Sequence, residues 1–247
     1  MTSIFVSGVT GRVGRILLSK IIQDPKFSLA GGSASIENKQ IGVDLGVLNG
    51  TAPQNILITS GIESTNGIDC IVDFSQPCSS MNILRIASQN STPLLIGTTG
   101  FDEIQIEEIS ELSSKLPLLL ASNTSLGITI IKKIIEGFGT ELSLFSTPSV
   151  QETHHIDKRD SPSGTALDIA AKLTSTGLYD QDIKISSERV SDHAGEHKII
   201  FKRDNETIEI THNALDRSIF AEGALVGIDW LKDKDSGLYS MNDIYSS

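Results

Sequence analysis

A strand-like run ending at Ser7 passes directly into Gly8-Val9-Thr10-Gly11-Arg12-Val13-Gly14 and then into a stretch with apolar residues at helical spacing. The same rhythm continues to about position 120. Short β-like runs over residues 4–6, 27–30, 56–58, 68–74, 94–96 and 118–121 alternate with helical stretches over 13–22, 79–88 and 103–112. Strands that are apolar on both faces and separated by helices predict a parallel sheet covered on each side, a doubly wound α/β layer of Rossmann type. Right-handed crossovers then place the ligand crevice at the C-terminal ends of the strands.

The spacing G-x-x-G-x-x-G gives each glycine a separate task. Gly8 allows the tight turn, Gly11 lets the backbone approach a pyrophosphate, and Gly14 lets helix and strand pack closely. The helix start adds N–H donors and positive potential for phosphate oxygens, with Arg12 and Arg15 as local countercharge. Glycine-rich turns also serve only to close strand–helix connections, and it is the position after the first strand of a βαβ pattern that favours a dinucleotide. An acidic residue gripping the ribose hydroxyls belongs near Ala34-Ser35, but none stands there and Glu37 is offset. The choice between NADH and NADPH therefore stays open.

Beyond Asn123 the pattern changes to a helical stretch over 126–138, a strand-like 146–152, a polar loop and a helix beginning near Ser163. Alternating segments over 184–190, 197–201 and 207–212, joined by short turns, predict a mixed or antiparallel sheet in a C-terminal α+β domain. The last helical pattern, 218–230, returns to the first domain. A domain boundary therefore falls near residue 124, at a tight hinge.

Composition narrows the partners. A net charge of −11 on 247 residues opposes sequence-independent binding of nucleic acid or an anionic membrane surface, which depends on clustered Lys and Arg. No leader-like or membrane-spanning run is present, so the expected compartment is the cytoplasm. Cys70 and Cys78 form neither a disulfide framework nor a zinc pair, and both are expected in apolar packing without a functional role.

The densest chemistry lies in Gln151-Glu152-Thr153-His154-His155-Ile156-Asp157-Lys158-Arg159-Asp160-Ser161-Pro162-Ser163-Gly164-Thr165. Ser163 is suited to cap the following helix, and Gly164 and Thr165 to offer their N–H groups to a carboxylate. Adjacent histidines could instead be plain loop residues. A His-His-x-x-Lys run leading into a helix start favours a site, while the absence of an H-E-x-x-H spacing argues against a metal.

These residues resemble the 4-hydroxy-tetrahydrodipicolinate reductase family, also called dihydrodipicolinate reductase, of the diaminopimelate route to lysine. The resemblance spans nearly the whole chain. It takes in the 8–14 loop, Asp73-Phe74-Ser75, Gly97-Thr98-Thr99-Gly100-Phe101, Ala121-Ser122-Asn123, the 152–166 signature, Gly195-Glu196-His197, Glu209-Ile210-Thr211-His212 and Ser236-Gly237-Leu238-Tyr239. It implies NADH or NADPH held by Gly8, Gly11, Arg12, Val13, Gly97, Thr98, Thr99, Ala121, Ser122, Asn123 and Thr124. A dicarboxylate substrate would meet His155, Lys158, Ser163, Gly164 and Thr165. His154 would be the proton donor and Lys158 a second one, no metal is required, and the assembly is a homotetramer. The resemblance also implies that residues 1–124 and 217–247 form the dinucleotide-binding domain and 125–216 the substrate-binding and oligomerisation domain, and closure at the hinge would bring the two ligands together.

Several positions depart from the family's pattern. Asp157 stands where basic or amide residues are common, and Thr124 where an aromatic is frequent. The stretch 177–189 is short, which bears on the oligomer interface. A related reductase for another imine or amino acid would share the nucleotide loop but leave the 154–165 signature unexplained. A redox-sensing protein that binds the nucleotide without turnover would need neither His154 nor Lys158.

Overall fold

The apolar runs become strands, and those at the centre of the first sheet, over residues 4–6, 70–73 and 94–96, are buried throughout. In a computed structural model, which describes residues 1–179, 182–190 and 195–245, the chain divides into one unit of Met1–Ser125 with Ser218–Ser247 and a second of Leu126–Arg217.

The first unit is built on β1 (Thr2–Ser7), β2 (Phe27–Ser33), β3 (Ile58–Thr59), β4 (Cys70–Asp73), β5 (Leu94–Ile96), β6 (Pro117–Leu120) and β11 (Gly237–Tyr239). They lie in the order β11-β6-β5-β4-β1-β2-β3, and every neighbouring pair is parallel. Each step between parallel neighbours needs a crossover, supplied by α1 (Arg12–Gln23), α3 (Pro77–Gln89) and α4 (Glu103–Leu112) among others. Helix α1 turns Leu17, Leu18 and Ile21 inward. Pro77 opens α3, where its missing N–H costs nothing. A capping box between Asp102 and Gln105 starts α4. Side chains of Phe5, Ile71, Leu84, Leu94, Ile109 and Leu118 form part of one apolar core. Helix α8 (Ser218–Leu231) packs against α1 and over β5 and β6, so the C-terminal segment completes this unit.

A short helix, α2 (Leu45–Leu48), falls where the sequence pattern gives no helical signal. One carboxylate organises it: Asp44 accepts the amides of Gly46, Val47, Gln54 and Ile56. Cys70 is buried, and burial pushes its thiol up to about 12. Cys78 departs from the expectation of apolar packing, because α3 presents it to solvent.

The second unit carries α5 (Leu126–Gly137), α6 (Gly139–Leu142), β7 (Ser149–His154), α7 (Gly164–Ser175), β8 (Lys184–Arg189), β9 (Glu196–Arg203) and β10 (Glu206–Asn213). Its sheet runs β10-β9-β7-β8 and is mixed: β7 is parallel to β8, whereas β9 is antiparallel to both β7 and β10. Ile128, Ile131, Val150, Ile169, Ile199 and Phe201 belong to its apolar core. The period-two pleat turns Val150, Glu152 and His154 inward along β7 and His197, Ile199 and Phe201 inward along β9. The row on β7 runs from apolar to polar and that on β9 from polar to apolar, and because the two strands are antiparallel their polar ends meet.

Candidate active site

In the first unit the turn after β1 folds as its spacing requires. Gly8 has φ +76°, and a Cβ there would lie 2.2 Å from the carbonyl oxygen of Phe74. At Gly14 a Cβ would lie 2.2 Å from the carbonyl oxygen of Gly8. Gly11 is the N-cap of α1 and exposed, with Arg12 exposed and Val13 half-buried behind it. A cleft of about 490 Å³ opens here between Gly8, Thr10 and Gly11 on one side and Ser33, Ala34 and Ser35 on the other. Its lining carries no charged side chain, and Glu37 is not part of it. The open backbone at Gly11, the start of α1 and the size of the cleft fit a dinucleotide, the phosphates resting on amides rather than on side-chain charge.

The other residues expected at the cofactor divide between loop and scaffold. Gly97 donates its amide to the carbonyl of Asp73 at 2.8 Å, and Thr99 is exposed beside it. Thr98 turns inward, its hydroxyl donating to Asp73 at 2.7 Å and accepting the amide of Ser75 at 2.9 Å. Asp73 is fully buried and also accepts the hydroxyls of Ser75 and Ser80, so one carboxylate ties the end of β4 to the 97–99 loop. Ala121 is buried, Ser122 exposed, and Asn123 accepts the amide of Ser125 at 2.8 Å. Thr124 gives its hydroxyl to the carbonyl of Phe220 at 2.7 Å, which turns its side chain into the scaffold.

In the second unit the strand register does what local spacing does not. Glu152 on β7 pairs with His197 on β9, which pairs with His212 on β10, while His154 pairs with Arg189 on β8. Glu152 is almost wholly buried. Its Oε1 accepts the Ser163 amide at 3.0 Å and Nη2 of Arg189 at 3.1 Å. Its Oε2 stands 3.0 Å from Nδ1 of His154 and 3.9 Å from Nε2 of His197. The His154 contact lacks the alignment of a hydrogen bond, and both atoms are without a hydrogen-bond partner. Burial opposes ionisation of Glu152, but Ser163, Ser187 and Arg189 outweigh it and bring its pKa to about 2. The rings of His154 and His197 meet edge to face at 5.0 Å. Burial, with Lys158 and Arg189 nearby, lowers the pKa of His154 against the pull of Glu152. Burial and the neighbouring His154 lower that of His197 to about 3.

Ser163 caps α7, its hydroxyl accepting the Ala166 amide at 3.1 Å and standing 3.2 Å from Nε2 of His197. His154 and Ser163 are thus joined through Glu152 and His197. His155 is half-buried in the turn after β7, where its carbonyl accepts the Lys158 amide. Lys158 Nζ lies 2.9 Å from Oδ2 of Asp160, and the same carboxylate takes the amide of Gly164. Gly164 N–H is consequently occupied rather than free, and Thr165 is also engaged. Glu152, Arg189, Asp160, His197 and His212 are the site residues that local reading does not single out. Glu152, Arg189, His197 and His212 meet through alternation along β7, β8, β9 and β10 once the register is known, and Asp160 through the loop that leads into α7.

The dihydrodipicolinate reductase N-terminus model matches residues 2–124, and the corresponding C-terminus model matches residues 127–245. A 4-hydroxy-tetrahydrodipicolinate reductase of Blochmanniella floridana is 34% identical, over 97% of each chain. Among solved structures, a dipicolinate-bound dihydrodipicolinate reductase from a Paenisporosarcina species superposes with a TM-score of 0.82 over 99% of both chains at 20% identity. An amine dehydrogenase from Mycobacterium smegmatis shares the fold with a TM-score of 0.72 over 98% of this chain and 95% of that one, at 10% identity.

Proposed function

The chain belongs to the dihydrodipicolinate reductase family, and from that premise we propose that it reduces 4-hydroxy-tetrahydrodipicolinate, by way of dihydrodipicolinate, to tetrahydrodipicolinate in the diaminopimelate route to lysine. It is an oxidoreductase of a family that uses NADH or NADPH. When bound, the reduced nicotinamide supplies the hydride. Gly8 and Gly11 let the pyrophosphate approach the backbone, and the amides of Arg12 and Val13 at the start of α1 hold it, since those of Gly8 and Gly11 are given to the carbonyls of Ser33 and Gly8. The 97–99 loop and residues 121–124 hold the nicotinamide end.

The substrate carries two carboxylates, which suit the cation of Lys158 and the start of α7 at Ser163, Gly164 and Thr165 once substrate displaces Asp160 from Lys158 and the Gly164 amide, with His155 at the rim. His154 gives a proton to the ring carbon next to the one that receives hydride. A dianion beside its ring restores the protonation that burial removes. Lys158 anchors a carboxylate and assists loss of the 4-hydroxyl as water. The observation that carries this reading is the 152–165 signature folded so that His154, ending β7, and Ser163, capping α7, share Glu152 and His197 as neighbours.

The deciding experiment follows NADH and NADPH oxidation separately, with substrate generated in situ from pyruvate and aspartate semialdehyde by the preceding synthase. Turnover is expected with at least one nucleotide, and its absence with both removes the proposal. His154→Ala and Lys158→Ala should each lower turnover by about two orders of magnitude with nucleotide affinity nearly intact. Equal loss of nucleotide affinity would mean that both residues serve the wrong ligand. The same reading makes the protein a cytoplasmic homotetramer, to be checked by light scattering against four times the 26.5 kDa chain mass. Among the described residues, no helix is long and apolar enough to cross a membrane.

A further inference from the structure

We infer that Glu152, His154 and His197 form a binding site for a single Zn²⁺ ion, and that filling it stops reduction by taking the ring of His154. The three side chains are buried, and one ligand atom from each lies within 4.8 Å of the others. A mixed nitrogen and oxygen donor set of two imidazoles and one carboxylate is a zinc set, with a fourth position left for water.

The contact between Glu152 and His154 is the second observation. Oε2 and Nδ1 are 3.0 Å apart, buried, and without a hydrogen-bond partner. Two ligands of one tetrahedral ion stand about 3.3 Å apart with neither aimed at the other, as follows from metal–ligand bonds of about 2.0–2.1 Å. Oε2 to Nε2 of His197, at 3.9 Å, closes to that spacing with a shift of about half an ångström, in which the ring exchanges its contact with the Ser163 hydroxyl for the ion. The opposite oxygen, Oε1, is already held by the Ser163 amide and Arg189, which leaves Oε2 for the ion.

Arg189 and Lys158 carry positive charge near the site and weaken the ion's hold. The inhibitory consequence rests on the reading of His154 as proton donor, whereas the binding itself does not.

The test uses the full chain treated with EDTA and titrated with Co²⁺. One equivalent should bind with the intense visible bands of a four-coordinate ion and be displaced by Zn²⁺. Glu152→Gln and His197→Gln should each weaken Co²⁺ binding about tenfold or more, while His155→Gln leaves it unchanged. Should those variants fail to fold by circular dichroism, hyperfine-shifted NMR signals from two histidine rings in the unaltered chain decide the matter. Pale octahedral spectra, absence of those ring signals, or undiminished binding in folded variants overturns the site. Zn²⁺ should suppress NAD(P)H oxidation over the concentrations that displace Co²⁺, with recovery on adding EDTA. Full activity with the site filled overturns the inhibition. A metal-free chain that never turns over overturns the proposed reaction instead, and the cobalt spectra still judge the site.

Discussion

Asp160 sits on two groups proposed to hold the substrate. Its carboxylate holds Lys158 at 2.9 Å and takes the Gly164 amide, which are the partners expected for a substrate carboxylate. Burial opposes its charge, but these contacts keep its pKa below the usual carboxylate value. An internal carboxylate on those partners competes with an external one. Asp160→Asn should therefore lower KM for the dicarboxylate by about threefold to tenfold in steady-state assays, and a raised KM would show that Asp160 positions Lys158 rather than competing for it. Lys158, Ser163 and Gly164 were legible in sequence because they are local neighbours in one run. Glu152 and His197 are brought together only by the β7–β9 register, which no local spacing encodes. Thr98 shows a different limit: its place in the loop could be read, but the buried Asp73 that turns its hydroxyl inward could not.

Between β1 and α1 the three glycines are not equivalent. A methyl group at Gly14 would meet the Gly8 carbonyl at 2.2 Å, whereas at Gly11 the same oxygen would be 3.1 Å away. Gly14→Ala should destabilise the first unit by about 3 kcal/mol or more, seen as a large fall in melting temperature. Gly11→Ala should stay folded and lose about tenfold in nucleotide affinity, measured by NADPH fluorescence, because its methyl occupies the pyrophosphate approach. Equal melting temperatures for the two variants would refute the distinction. Elements with strong local patterns, such as α1, α4 and β5, were readable from apolar spacing alone. Helix α2 was not, since it is four residues long and depends on Asp44 accepting amides as far away as Ile56. Strand β11 is three residues long with Leu238 exposed, and only pairing with β6 makes it a strand.

Across the whole chain, acid should act first on the second unit. His197 has a folded pKa near 3 against an ordinary 6.5, so between those values the unfolded chain binds a proton that the native site refuses. Stability then falls as pH falls, by about 1.4 kcal/mol per pH unit for this residue. Glu152, depressed to about 2 from 4.5, adds stability that is present above its ordinary pKa and lost as pH drops through that lower window. Urea midpoints at about pH 7 and about pH 5 should differ clearly for the native chain and less for His197→Phe, and parallel shifts would show that His197 does not carry the dependence. The C-terminal return to the first unit has another consequence, one of timing. Sheet order β11-β6-β5 and the packing of α8 on α1 require residues 218–239, so during synthesis the nucleotide unit, although begun first, is finished last. The second unit, being continuous in sequence, has its last strand made before that point. The nascent chain thus carries an unfinished β6 edge while some hundred residues are still being added, which makes the ribosome-bound intermediate the stage most open to wrong strand pairing.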